Sequence, residues 1–121
     1  MKVAISSTGK TFQNQLDPRF GRAAGFIILD LSSGEAEFLD NQGNQQASKG
    51  AGIHAAQNVS RAGADAVITG HVGPKAYAAL ESGKIDVYHS DTKSVQEVIE
   101  DFRQGRLDRA QGADSSPHWQ G

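Results

Sequence analysis

The segment from Ala66 to Pro74 places residues that could bind a ligand directly after a short apolar run. That run is rich in β-branched side chains, which is typical of a strand covered on both faces. Gly70 and Gly73 permit backbone conformations that other residues avoid, and Pro74 suits the first position of a helix. A strand, a glycine loop and a helix N-terminus often bind an anionic ligand in an open α/β sheet. A plain strand–helix turn favours the same residues, so the segment alone leaves both interpretations open.

A second segment, Lys49-Gly50-Ala51-Gly52, opens another predicted helix. Two glycines in a first turn weaken a helix by about 1 kcal/mol each relative to alanine. They could allow close packing of the helix on the sheet, or they could let a bulky ligand approach the backbone. We favour the ligand because Lys49 and other positive charges are nearby in the predicted topology.

The first polar loop supplies two of those charges, Arg19 and Arg22. Phe20 and Gly21 lie between them, and Phe20 could form an apolar wall for a ligand. The alternative is that Phe20 is a core aromatic that pins the loop to the sheet. The spacing of the residues fits either role.

Periodicity along the chain predicts the elements that must position these residues, in the order βββαβαβα. Strand 2 should be antiparallel, whereas strands 1, 4 and 5 should be parallel through right-handed crossovers. We therefore predict an α/β fold with a five-stranded mixed sheet and helices on both faces. The predicted strands cover residues 2–7, 25–31, 35–41, 65–69 and 85–89, and the predicted helices cover 49–62, 74–82 and 94–105.

The last predicted helix has the clearest signal, because Ser94 and Glu97 form a capping-box pattern before an amphipathic run. Residues 106–121 have no apolar period. We therefore predict a single domain over residues 1–105, followed by a disordered polar tail.

In this topology three of the four histidines fall at the carboxyl edge of the sheet. His54 lies in the first turns of one helix, His71 follows strand 4, and His89 ends strand 5. Each alone is typical of a surface residue. Their predicted convergence makes them candidate metal ligands or polar contacts for a ligand.

Composition excludes several classes of function. The net charge of −2 gives no general attraction for nucleic acid or membranes. The chain has no cysteine, which excludes disulfides, zinc ribbons and cysteine-ligated iron–sulfur clusters. It has no apolar stretch near 18 residues, so the cytoplasm is the default compartment.

Several catalytic patterns are also missing. A ribonuclease-H-type nuclease shares the predicted strand order but needs carboxylates on strand 1 and at the end of strand 4. Here strand 1 offers none, and strand 4 ends in Thr69 and Gly70. The sequence contains neither a phosphate-binding GxxxxGK[ST] loop nor a GxSxG elbow. We expect a protein that is not an enzyme.

Three motifs together resemble the dinitrogenase iron–molybdenum cofactor-binding family, small proteins with a ribonuclease-H-like motif. The motifs are Asp17-Pro18-Arg19-Phe20-Gly21-Arg22-Ala23, Gly50-Ala51-Gly52-Ile53-His54-Ala55-Ala56-Gln57, and the stretch from Gly63 through Thr69-Gly70-His71-Val72-Gly73-Pro74 to Ala76. The resemblance spans residues 1–105. The family element His-Phe-Gly-Arg appears here with Arg19 in place of the histidine, which weakens the case for direct histidine ligation.

The resemblance implies binding of a molybdenum–sulfur cluster. A cysteine-free chain is similar to the branch of the family that holds a sulfide-bridged molybdenum–copper cluster non-covalently. Without thiolates, such a protein offers an anionic thiometallate hydrogen bonds, positive charge and apolar walls. The resemblance also implies protein partners from a cofactor-assembly or cell-division-related complex.

The leading hypothesis is thus a cytoplasmic carrier of an anionic molybdenum–sulfur cluster, with or without copper. A nucleotide- or phosphate-sensing domain that uses the same edge is the alternative, and a partner-binding module that acts through its tail is the third. The residues assigned to the cluster site are Arg19, Phe20, Gly21, Arg22, Lys49, Gly50, Gly52, His54, Gly70, His71, Val72, Gly73 and His89, with the three histidines as candidate metal ligands.

Overall fold

The computed structural model describes residues 1–45 and 50–111. These residues form an α/β fold with one six-stranded mixed sheet, in the order β3-β2-β1-β4-β5-β6. The strands are β1 (Lys2–Ser7), β2 (Gly25–Asp30), β3 (Ala36–Asp40), β4 (Ala66–Thr69), β5 (Asp86–His89) and β6 (Asp108–Arg109), and the helices are α1 (Gln42–Gln45), α2 (Ala51–Arg61), α3 (Pro74–Ser82) and α4 (Val95–Arg103).

Strand directions follow the sequence prediction. β1 pairs antiparallel with β2 and parallel with β4, and β4 pairs parallel with β5. The β2–β3 hairpin closes through Gly34, whose φ of 80° suits a residue without a side chain. The carboxyl ends of β1, β4 and β5 therefore meet at one edge of the sheet.

The predicted number of strands was wrong, because β6 adds a sixth strand within the segment predicted as a tail. β6 pairs antiparallel with β5, and Ala110 N–H donates to the Val87 carbonyl at 2.7 Å. A two-residue charged strand has no apolar alternation, so its signal comes only from backbone pairing. Residues 112–121 of the predicted tail lie outside the described residues.

A short helix, α1, was also missed, since no element was predicted between residues 41 and 49. Asn41 starts it, with the Asn44 N–H donating to the Asn41 carbonyl at 3.0 Å. One turn with two glutamines, a glycine and an asparagine lacks the apolar spacing that identifies longer helices.

Helices cover both faces of the sheet, as predicted. α2 and α3 pack on one face, over a core that includes Ala4, Phe26 and Val67. α4 packs on the other face with Ile5 and Ile68. Successive strand residues point to opposite faces, so the neighbouring residues of β1 divide between the two cores. None of the helices in residues 1–45 and 50–111 combines the length and the apolar character that a membrane span requires.

The predicted capping box of α4 is present. Ser94 Oγ accepts the Glu97 N–H at 3.2 Å, and the Ser94 N–H donates to Glu97 Oε1 at 3.2 Å. Both orphan donors of the first turn are satisfied reciprocally. The local sequence thus fixes where this helix begins.

Candidate functional site

Two loops at the carboxyl edge are tied together by backbone hydrogen bonds. The His71 N–H, in the loop after β4, donates to the Pro18 carbonyl at 2.9 Å, and the Phe20 N–H donates to the His71 carbonyl at 3.4 Å. Arg19 and His71 form an isolated parallel bridge. The loop after β1 therefore continues the sheet beside β4.

The buried hydroxyl of Ser6 stabilises the junction between these two loops. Ser6 Oγ lies 2.6 Å from the Asp17 carbonyl oxygen and 2.8 Å from Thr69 Oγ1. The Ser6 hydroxyl donates to the carbonyl and accepts from Thr69. All three residues are at most 3% exposed, so these bonds compensate their burial.

Above the junction lies a cavity of about 460 Å³. It is bounded by the loop after β1, the β4–α3 loop and the N-termini of α2 and α3. Nine of the residues predicted from the sequence line it: Arg19, Phe20, Gly21, Arg22, Gly50, Gly52, His71, Val72 and Gly73. Five further residues complete the lining: Ala51, Ile53, Pro74, Lys75 and Ala76.

Both helices present their N-termini to the cavity. The N-cap residues are Gly50 and Gly73, and neither supplies a capping side chain to the first-turn N–H groups. Those donors and the helix dipoles give the cavity a fixed positive potential. This arrangement favours an anionic ligand.

The guanidinium of Arg19 is paired with Asp17. Arg19 Nε and Nη2 each lie 3.2 Å from a carboxylate oxygen of Asp17, and the Arg19 N–H donates to the same carboxylate at 3.0 Å. This hydrogen bonding to Asp17 raises the pKa of the Arg19 guanidinium. The Arg19 charge is thus balanced in part by Asp17.

Positive charge at the cavity wall also comes from Arg22 and Lys75. The described lining contains no aspartate or glutamate. Lys75 was not predicted as a site residue, although the sequence placed it in the first turn of α3, beside the predicted site. The cavity therefore combines cations, backbone donors and apolar side chains.

The glycines of the site have a packing role that the sequence left open. A Cβ on Gly21 would lie 2.8 Å from the Gly52 backbone, and one on Gly52 would lie 2.9 Å from Ala76 Cβ. Close approach of the loop, α2 and α3 thus requires both glycines. These glycines are therefore explained by contacts among the loop after β1, α2 and α3, and less by the predicted packing of a helix on the sheet.

Phe20 is a core aromatic and also lines the cavity. It is 2% exposed and packs on Phe26, with ring centroids 5.3 Å apart. It also forms part of the cavity floor. The ring therefore pins the loop to the core while offering the cavity an apolar surface.

Three predicted residues do not line the cavity in the described structure. His54 is exposed on α2, and Gly70 packs against Pro18. His89 Nδ1 lies 3.0 Å from the Gly70 carbonyl, to which it must donate, since a carbonyl only accepts. Lys49 lies outside the described residues.

The three histidines consequently do not converge as the sequence predicted. Within residues 1–45 and 50–111, no three His, Asp, Glu or Cys side chains are grouped as a metal ion would require. His71 alone of the three lines the cavity. The cavity lies at the predicted edge of the sheet, but His54 and His89 are not among its lining residues.

Comparison with known proteins agrees with this geometry. Residues 1–105 match the family described as dinitrogenase iron–molybdenum cofactor. The apo form of the orange protein from Desulfovibrio gigas is 39% identical, with a TM-score of 0.89 over 92% of this chain and 93% of that one. The NMR structure of a candidate NifB protein from Thermotoga is 34% identical, with a TM-score of 0.80 over 89% of this chain and 91% of that one.

An uncharacterised protein of Methanocaldococcus jannaschii is 34% identical over 112 residues, which cover 90% of this chain and 91% of its own length. The similarity therefore extends over nearly the whole fold and not over the cavity alone. The chain belongs to the dinitrogenase iron–molybdenum cofactor family.

Proposed function

We propose that the protein is a non-enzymatic carrier that binds an anionic molybdenum–sulfur cluster non-covalently in the cavity between α2 and α3. The observation that carries the proposal is the joint orientation of two helix N-termini toward a cavity whose described lining has no carboxylate. An anion gains from both dipoles and meets no carboxylate among the described lining residues.

The absence of cysteine decides what the protein can offer such a cluster. With no thiolate in the chain, the sulfur ligands of molybdenum must arrive as sulfide within the cargo. The protein contributes backbone N–H donors, positive charge and the apolar surfaces of Phe20 and Val72. Thiometallate sulfurs are weak acceptors spread over a large surface, which suits many modest contacts.

The cavity volume is consistent with a cargo of small-molecule size. At about 460 Å³ it falls within the range of roughly 300–1,000 Å³ that is typical of small-molecule sites. The resemblance seen in the sequence motifs suggests sulfide-bridged molybdenum with copper as the first cargo to test. A carrier of this kind would receive its cluster from, or deliver it to, another protein of a cofactor-assembly complex in the cytoplasm.

The experiment is a titration of the purified apo protein with tetrathiomolybdate, with and without copper(I), followed by desalting and visible absorption. Lys75→Gln should weaken binding about fivefold, because one cation near an anion contributes about 1 kcal/mol at a solvated site. Lys84→Gln is the matched control. It removes the same charge just past the opposite end of α3 and should change affinity less than about twofold.

A stoichiometric chromophore that remains after desalting, and that depends on Lys75 but not on Lys84, would support the proposal. A protein that leaves the column colourless in both titrations would refute it. Retention of a radiolabelled nucleotide or of orthophosphate by that colourless protein would establish the alternative, a sensing domain that uses the same cavity.

A further inference from the structure

Asn41, which the sequence did not single out, bonds to the backbone on both sides of the cavity residue Arg22. It follows β3 and is 3% exposed. Its side-chain Nδ2 donates to the Gly21 carbonyl at 3.1 Å and to the Ala23 carbonyl at 2.9 Å. These carbonyls belong to the residues immediately before and after Arg22. Both hydrogens of the amide are therefore committed to the backbone that carries Arg22.

Asn41 is itself held on its other sides. Its N–H donates to the Ala24 carbonyl at 3.0 Å, and its Oδ1 accepts from Asn44 Nδ2 at 2.8 Å. Its own carbonyl accepts the Asn44 N–H at 3.0 Å. Every polar group of Asn41 thus has a partner, and the residue is fixed between β2 and α1.

The backbone that Asn41 holds lies outside the helices and strands of the fold. Residues 21 and 22 lie in a turn, and glycine at position 21 leaves that backbone intrinsically mobile. The glycine is required there because Gly52 approaches it closely. Asn41 compensates for this mobility with two hydrogen bonds from a single rigid amide.

We infer that Asn41 is a positioning residue, which acts through Arg22 and holds that side chain's backbone at the cavity wall for an anionic ligand. The inference rests on the proposed function for the nature of the ligand. Pre-ordering of the loop avoids the entropic cost of ordering Arg22 when the anion binds. The inference does not require a direct contact between Asn41 and the ligand, since both hydrogens of the Asn41 amide already donate to backbone carbonyls.

The test compares Asn41→Ala in two backgrounds, wild type and Arg22→Gln, with tetrathiomolybdate as the probe. In the wild-type background the substitution should weaken binding about fivefold to tenfold. In the Arg22→Gln background it should have no further effect beyond about twofold, because residues that act as a unit are not additive. Asn58→Ala, which removes an amide from the surface of α2, is the matched control and should leave affinity unchanged.

A second readout does not need the cargo. ¹⁵N relaxation should show the order parameter of the Arg22 amide falling below about 0.6 in Asn41→Ala, while β1 remains near about 0.85. If Asn41→Ala does not fold, Asn41→Ser supplies the same comparison, since its hydroxyl cannot reach both carbonyls.

Equal weakening by Asn41→Ala in both backgrounds would overturn the inference, and so would an unchanged order parameter at Arg22. A wild-type protein that binds no tetrathiomolybdate would overturn the proposed function instead. In that case the relaxation measurement still decides whether Asn41 orders Arg22.

Discussion

Gly70 and Gly73 lie in one loop, yet the structure predicts that a single added methyl group destabilises the protein strongly at Gly70 and little at Gly73. A Cβ on Gly70 would lie 2.6 Å from Pro18 Cα and 2.7 Å from the Pro18 carbonyl oxygen. These are backbone atoms, so relief requires the two loops to separate. At Gly73 a Cβ would meet nothing within 4 Å, and its φ of −75° and ψ of 171° are open to any residue.

The magnitude follows from what Gly70→Ala must displace. Overpacking costs about 1–3 kcal/mol. The hydrogen bond from His71 to the Pro18 carbonyl is also at risk, at about 1 kcal/mol. A loss of about 3 kcal/mol should lower the Tm of a domain of this size by about 10 °C. Gly73→Ala should stay within about 1 kcal/mol, because a poorer N-cap is offset by a less flexible unfolded chain.

The assay is thermal unfolding by circular dichroism, with urea unfolding to confirm that the m-value is unchanged. The reasoning is refuted if Gly70→Ala melts within about 2 °C of the wild type, which is less than 1 kcal/mol of destabilisation. It is also refuted if Gly73→Ala is destabilised as much as Gly70→Ala. Either result would mean that the contact between the two loops does not limit the stability of the site.

Two further predictions concern ion pairs. Arg19→Gln should weaken tetrathiomolybdate binding, because it leaves the negative charge of Asp17 unbalanced. The double variant Arg19→Gln/Asp17→Asn should therefore bind more tightly than Arg19→Gln. Equal affinities of the two variants in the same titration would indicate a direct contact between Arg19 and the ligand instead. The hydrogen bond from Lys93 lowers the pKa of Asp101 below its ordinary value of 3.8. A depressed carboxyl pKa stabilises the fold above the unfolded value, and this stabilisation is lost as pH falls through the folded value. Lys93→Gln should therefore have a lower free energy of unfolding than wild type at pH 7, as measured by urea unfolding. The difference in free energy between the two proteins should shrink below about pH 3.8. A difference that does not change with pH would contradict this reasoning.

The sequence by itself determined the elements whose signals are local. The capping box at Ser94 and the apolar spacing after it located α4, and Gly34 located the β2–β3 turn. Alternation of apolar residues and the placement of glycines gave the strand directions, because each strand's neighbours are constrained by short connections. The same reasoning placed the cavity at the carboxyl edge of β1 and β4.

Weak local signals explain the elements that the sequence did not predict. β6 has two charged residues and α1 has four polar or glycine residues, so neither carries apolar periodicity. β6 exists because β5 offers an unpaired edge, and that edge is a property of the assembled sheet.

Only the tertiary structure decided which side chains meet in the site. His54 is exposed on α2 and does not line the cavity, and His89 bonds to the Gly70 carbonyl. Asn41 reaches Gly21 across 20 residues of sequence, a contact that no local pattern encodes. Local propensity can specify an element and its ends, whereas the direction of a side chain depends on the packing of all the elements around it.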